Sequence, residues 1–147
     1  MMDLHLRQVF FTPDGWPVVS PERYTGSVSR KFSAEDMAGE WEVIRIQEPA
    51  YERRLQAGQI LWGEGQLKEE EWNVSHLLSL EKNGHLGENK GNWEFLEAKQ
   101  LLSLTLEGEI INNLIIFAGH DWENEKETVL FTGLDSRGRS IWGKRIK

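Results

Sequence analysis

An all-β fold of about eight antiparallel strands closed into a barrel is what this sequence predicts, and three observations predict it. Apolar and polar residues alternate with period two in several short segments, most clearly at residues 72–81 and 102–107. Turn chemistry punctuates them: Asn83-Gly84, the glycines at 87 and 91, Glu107-Gly108, and Asp135-Ser136-Arg137-Gly138. The composition, with seven Trp, 14 Gly and only four Pro in 147 residues, suits short strands joined by tight turns and packed around bulky aromatics. An open sheet of that size leaves two long edges, and closure removes them.

In chain order, residues 4–12 have strand composition, Pro13-Asp14-Gly15 supplies a preset φ followed by a residue that tolerates positive φ, and residues 16–19 resume extended structure. The pattern predicts a hairpin. Trp16, Val18, Val19 and Tyr24 make it more apolar than a free arm requires, so it is expected to pack outside the barrel and to cover a partner. Ser33 is the expected N-cap of one short helix, with Asp36 at the capping-box position and Gly39 as a left-handed stop. Strands are expected at 39–47, 59–66, 72–81, 93–96, 102–106, 110–118, 128–134 and 140–146, with 119–126 as a polar loop. Trp72, Val74, His76, Leu78 and Leu80 share one face, which makes His76 an interior histidine. Residues 110–118 are apolar on both faces apart from Asn112 and Asn113, so something is expected to cover their outer side.

A length of 147 residues suits one core that buries roughly 70% of the unfolded surface. The net charge of -7 repels phosphate backbones and anionic membranes, which argues against nucleic acid as a partner. No run approaches the roughly 20 apolar residues of a membrane-spanning helix. The absence of cysteine excludes disulfides and thiolate metal sites and fits both the cytosol and secreted bacterial enzymes.

Two motifs carry a resemblance. The segment Asp14-Gly15-Trp16-Pro17-Val18-Val19-Ser20-Pro21-Glu22-Arg23-Tyr24 resembles the stretch that follows the catalytic propeller in endo-1,5-α-L-arabinanases of glycoside hydrolase family 43. At the other end, residues 131–144, closing on Ser140-Ile141-Trp142-Gly143-Lys144, resemble the last hairpin of that family's C-terminal barrel. A short helix running into Gly39-Glu40-Trp41 is also similar to the start of lipocalin-like (calycin-type) barrels. Such a glycine turns tightly beneath the barrel, the Trp closes its floor, and a basic residue of the last strand covers the indole. The likeness therefore implies structural roles for Gly39, Trp41, Trp93, Trp142 and Lys144 or Arg145. It implies a division into a linker hairpin, 1–32, that follows the propeller and a barrel, 33–147. The abrupt start within a strand fits a domain detached from such an enzyme.

No catalytic constellation accompanies these motifs. Glycoside hydrolysis needs two carboxyls about 5 to 9.5 Å apart, one with a raised pKa. None of the 24 acidic residues sits in a recognisable active-site motif, and in the resembling family the catalytic carboxylates lie in the propeller. His5, His76, His85 and His120 are scattered without metal-ligand spacing, and Glu69-Glu70-Glu71 reads as a solvated loop rather than a metal site. No phosphate-cradling or dinucleotide loop is present, so no cofactor is expected. Trp is the remaining chemical asset. Trp16, Trp62, Trp72 and Trp122, with Arg23 and Tyr24, are the residues expected to contact another domain or a sugar, here arabinan or a related polysaccharide. The resemblance implies a non-catalytic accessory domain of an extracellular arabinan-degrading enzyme. The alternatives are an independent, cytoplasmic barrel that binds a small apolar ligand, against which the abundant Trp, Leu and Ile argue, and a stand-alone hydrolase, for which no constellation exists.

Overall fold

The computed structural model describes residues 5–26, 29–46 and 74–147. In chain order the elements are β1 (Val9–Phe11), β2 (Pro17–Val19), α1 (Ala34–Met37), β3 (Gly39–Arg45), β4 (His76–Leu80), β5 (His85–Leu86), β6 (Gly91–Leu96), β7 (Leu101–Leu106), β8 (Glu109–Asp121), β9 (Lys126–Leu134) and β10 (Ser140–Arg145). Strands β3 to β10 form an antiparallel meander that closes when β10 pairs with β3, with Arg145 opposite Trp41 and Ile141 opposite Arg45. The hairpin β1-β2 is a separate two-stranded sheet. The strand expected at 59–66, with Trp62 and Trp72, lies outside the described residues. The eighth described strand is instead β5, whose two residues are too short to show alternation.

Strand parity decides what fills the barrel. Trp41, Val43, Leu78, Leu80, Leu102, Leu104, Ile111, Leu114, Ile116, Val129, Phe131 and Ile141 join Phe32 and Met37 in one core. Trp41 is fully buried, its indole N–H donates to the Met37 carbonyl at 2.8 Å, and its ring lies 5.5 Å from that of Phe131. Gly143 is inward as well, and a Cβ there would fall 2.0 Å from the Phe131 ring, so the missing side chain is what admits that ring. At this level large side chains occupy the interior. Phe32, assigned from sequence to the end of the linker, belongs to this core; its backbone N–H and carbonyl are both bonded to the Gln100 side chain, at 2.7 and 2.9 Å.

The helix forms where expected, with Ser33 as N-cap and Asp36 reaching back to the Ser33 N–H at 2.8 Å. Gly39 is not its left-handed stop. Ala38 is extended, and Gly39 opens β3 at φ +142°, where a Cβ would sit 2.2 Å from the Lys147 carbonyl oxygen. Gly91 repeats this geometry at φ +146°, with the Thr105 carbonyl 1.8 Å from a Cβ. Both Gly-x-Trp triplets thus start a strand against another backbone, which only glycine permits.

Three more expectations are corrected. His76 has the inward parity of Leu78 and Leu80 but lies exposed, because it stands at the end of β4. Alternation fixes the side of a sheet and not the depth. The loop placed at 119–126 is shorter: β8 runs to Asp121 and β9 begins at Lys126. Nor is β8 uniformly covered. A bulge sets Asn112 and Asn113 against Ser103 alone, with Asn113 at φ +61°, and reverses the side-chain phase along the strand. Beyond it Leu114 and Ile116 point inward and Phe117 outward, whereas before it Ile110 is 60% exposed.

Candidate functional site

The outward side of Phe117 is where the hairpin docks. Phe10 and Val18 are cross-strand partners, so both face the same way, and the Phe10 ring stacks 4.5 Å from Phe117 while Val18 is buried. Leu130 and Thr132 of β9 lie on that outer wall, and the Thr132 hydroxyl donates to the Val19 carbonyl at 2.7 Å. Beyond the hairpin the chain continues as a strap. The Ser20 and Tyr24 N–H groups bond to the carbonyls of Gln8 and Leu6, and the Arg7 guanidinium donates to the carbonyls of Ser20 and Pro21.

Two side-chain clasps hold the strap to the barrel. The first centres on Lys144, which β10 parity directs outward. Its ammonium lies 2.9 Å from Asp121, 3.3 Å from Glu123 and 3.4 Å from Glu22 of the strap. Asp121 also accepts from the Asn124 side chain at 2.6 Å. Burial alone would raise the Asp121 pKa, but the hydrogen bonds from Asn124 and Lys144 outweigh it and hold the carboxyl below its ordinary value. For Lys144, burial would lower the pKa, and the Asp121 hydrogen bond, the charges of Glu22 and Asp121 and the Glu123 hydrogen bond raise it instead. The second clasp stacks Arg23 over Trp122, guanidinium carbon to ring centroid 4.3 Å, with His120 edge-on to the same indole at 4.8 Å.

These placements sort the residues singled out from sequence. Arg23 and Trp122 are brought together. Lys144 does not cover Trp41: neighbouring strand residues face opposite ways, so only Arg145 shares the Trp41 side, and its guanidinium donates to the Ala38 carbonyl at 3.1 Å. Trp142 is half-buried on the outer wall, with the Arg7 guanidinium 5.8 Å from its ring, and Trp93 donates to the Glu81 carbonyl at 2.8 Å. Trp16 and Tyr24 are 61% and 48% exposed. Sequence reasoning missed Glu22, Asp121 and Glu123 as partners of Lys144, since a pair 122 residues apart leaves no local signal.

The opposite face of the hairpin is uncovered. Val9 pairs with Val19 and Phe11 with Pro17, so these four share the outward side, where Val9, Phe11 and Val19 are 53%, 68% and 37% exposed. Val9 and Phe11 thus form an exposed apolar strip on the strand pair.

Carboxylates also converge at the other end. Arg45 pairs with Glu109 at 2.6 Å and with the buried Asp135 at 3.6 Å, and Glu109 accepts from the Ser136 hydroxyl. The Ser136 hydrogen bond, followed by the bond and charge of Arg45, outweighs burial and keeps Glu109 below the ordinary carboxyl value. A glycosidase acid must hold its proton near neutrality, and Asp121 and Glu109 are both tuned the opposite way. Among the described residues no group of three or more His, Asp or Glu side chains could hold a metal ion. No described helix is long and apolar enough to cross a membrane.

Residues 21–143 match the family model of the glycoside hydrolase family 43 C-terminal lipocalin-like domain. The chain is 25% identical over 145 residues to extracellular endo-α-(1→5)-L-arabinanase 2 of Bacillus subtilis, covering 97% of this chain and 26% of the relative. It is 28% identical over 150 residues to the extracellular endo-α-(1→5)-L-arabinanase of Thermotoga petrophila, covering 98% and 27%. The chain therefore spans about a quarter of the length of these relatives. Among solved structures, a family 43 glycoside hydrolase from Bacillus licheniformis superposes with a TM-score of 0.71 at 22% identity, over 97% of this chain and 28% of that one. The Thermotoga petrophila arabinanase superposes with a TM-score of 0.70 at 24% identity, over 97% and 29%.

Proposed function

Because this chain belongs to the glycoside hydrolase family 43 C-terminal lipocalin-like domains, we propose that it is a non-catalytic accessory domain of an extracellular arabinan-degrading hydrolase, built to pack on the catalytic propeller. One observation carries this reading. The hairpin is fixed to the barrel wall through Phe10 and Val18, and its other face presents Val9, Phe11 and Val19 to solvent. A hairpin clamped on one face and apolar on the other is a bracket between two bodies. The matched relatives are named extracellular arabinanases, of which this chain covers only about a quarter, so most of such an enzyme lies outside the match. Contacts between domains of one chain commonly bury about 600 to 1,500 Å².

Sedimentation velocity of this chain mixed with a family 43 arabinanase catalytic domain that lacks its own C-terminal barrel tests the reading. A complex is expected, and Phe11→Asp should abolish it without unfolding the barrel. Two components that sediment independently at all concentrations would remove the packing role.

A further inference from the structure

The tip of the hairpin overhangs the bulged part of β8, and a crevice of about 300 Å³ opens between them. On one side stand Asp14 and Trp16 of the hairpin turn; on the other stand Asn112 and Asn113 of the bulge, with Asp135 and Ser136 of the β9-β10 turn behind. The geometry points to a binding site for a neutral oligosaccharide in this crevice. Thr12 and Trp16 bond to each other across the turn, which puts the Trp16 side chain on the Phe10 and Val18 side of the hairpin. There it passes the end of the supporting wall and stays 61% exposed, with its indole N–H unpaired among the described residues. The side-chain amides of Asn112 and Asn113 likewise have no hydrogen-bond partner among the described residues. The bulge is what places both amides at the crevice, and the left-handed Asn113 is one of the few residue types that tolerates the required φ.

An indole face for the apolar side of a pyranose or furanose ring, beside planar amides for its hydroxyls, is sugar-binding chemistry. Asp14 at the mouth of the crevice makes a uronic acid chain a poor occupant, since like charges repel. A protein partner is disfavoured because the apolar surface lies on the opposite face of the hairpin, at Val9 and Phe11. The specific choice of arabinan rests on the function proposed above.

Isothermal titration of this chain with a linear α-1,5-arabino-oligosaccharide is the test, with cello-oligosaccharide and oligogalacturonate as comparisons. Saturable binding of the arabino-oligosaccharide is expected. Trp16→Ala and Asn112→Ala should each weaken it about tenfold, with the thermal midpoint and the association with the catalytic domain unchanged. Binding of cello-oligosaccharide instead, with the same dependence on Trp16, would keep the crevice as a sugar site and remove arabinan as its ligand. No binding of any neutral oligosaccharide, or binding indifferent to both substitutions, would overturn the site while leaving the interdomain role standing on its own test.

Discussion

The Lys144 ammonium lies 2.9 Å from the Asp121 carboxylate, whose side chain has no exposed surface, so a charge pair seals the outer wall at the point where the strap crosses it. Glu22 completes the clasp from the strap side at 3.4 Å. Removing one partner of a buried pair leaves the other uncompensated, which costs about 3 kcal/mol. Lys144→Met should therefore lower stability by about that amount in urea unfolding. Lys144→Met combined with Asp121→Asn should recover part of the loss.

The same pair makes stability depend on pH. The Asp121 pKa is lowered from an ordinary 3.8, so its contribution is complete above that value and is lost as pH falls below it through the depressed folded pKa. The Lys144 pKa is raised from an ordinary 10.5, so its contribution is complete below that value and disappears only at higher pH. Thermal midpoints should form a plateau between these limits, falling on the acid side. Lys144→Met should flatten the alkaline limb.

Inside the barrel, Trp41 and Phe131 form the centre of the packing. Trp41→Ala should cost about 3 to 5 kcal/mol, as for other fully buried large aromatics. Gly143→Ala adds a single methyl where the Phe131 ring already lies and should cost about 1 to 3 kcal/mol by overpacking. Equilibrium denaturation reads both.

On the outer wall, Phe10→Ala removes the ring that stacks on Phe117, a pair worth about 1 kcal/mol beyond the area it buries. Limited proteolysis near Tyr24 should then accelerate while the barrel stays protected. Faster cleavage throughout the barrel would mean that the hairpin is part of one cooperative unit.

Much of this was legible before the structure. Leu102 and Leu104 alternate with polar neighbours in an uninterrupted strand, so their side of the sheet follows from period two. The capping box at Ser33 and Asp36 is local chemistry and reads directly. The bulge at Asn112 and Asn113 reverses the phase within one apolar run, so the sequence signals a covered strand without telling which residues point out. Gly119 and His120 look like loop, yet β8 continues through them; the Leu130 side chain fills the space over Gly119. At the site, the apolar excess of the hairpin was visible, but which face docks depends on Phe117, far along the chain. The partners of Lys144 depend on the barrel closing.

Purified chain should release no reducing sugar from linear arabinan: the two carboxyls at the centres of the charge clusters, Asp121 and Glu109, have their pKa values lowered, the direction opposite to that of a general acid. Release that a single Asp or Glu substitution abolishes would show a catalytic pair in this domain.

The hairpin as a bracket between two bodies is tested most directly by hydrogen-deuterium exchange on this chain, alone and with a family 43 catalytic domain. Slower exchange on complex formation is predicted at residues 6–11 and 16–20, with 82–108 unchanged on the far side of the barrel. Protection confined to 82–108, with the hairpin exchanging as it does in the free chain, would contradict the account.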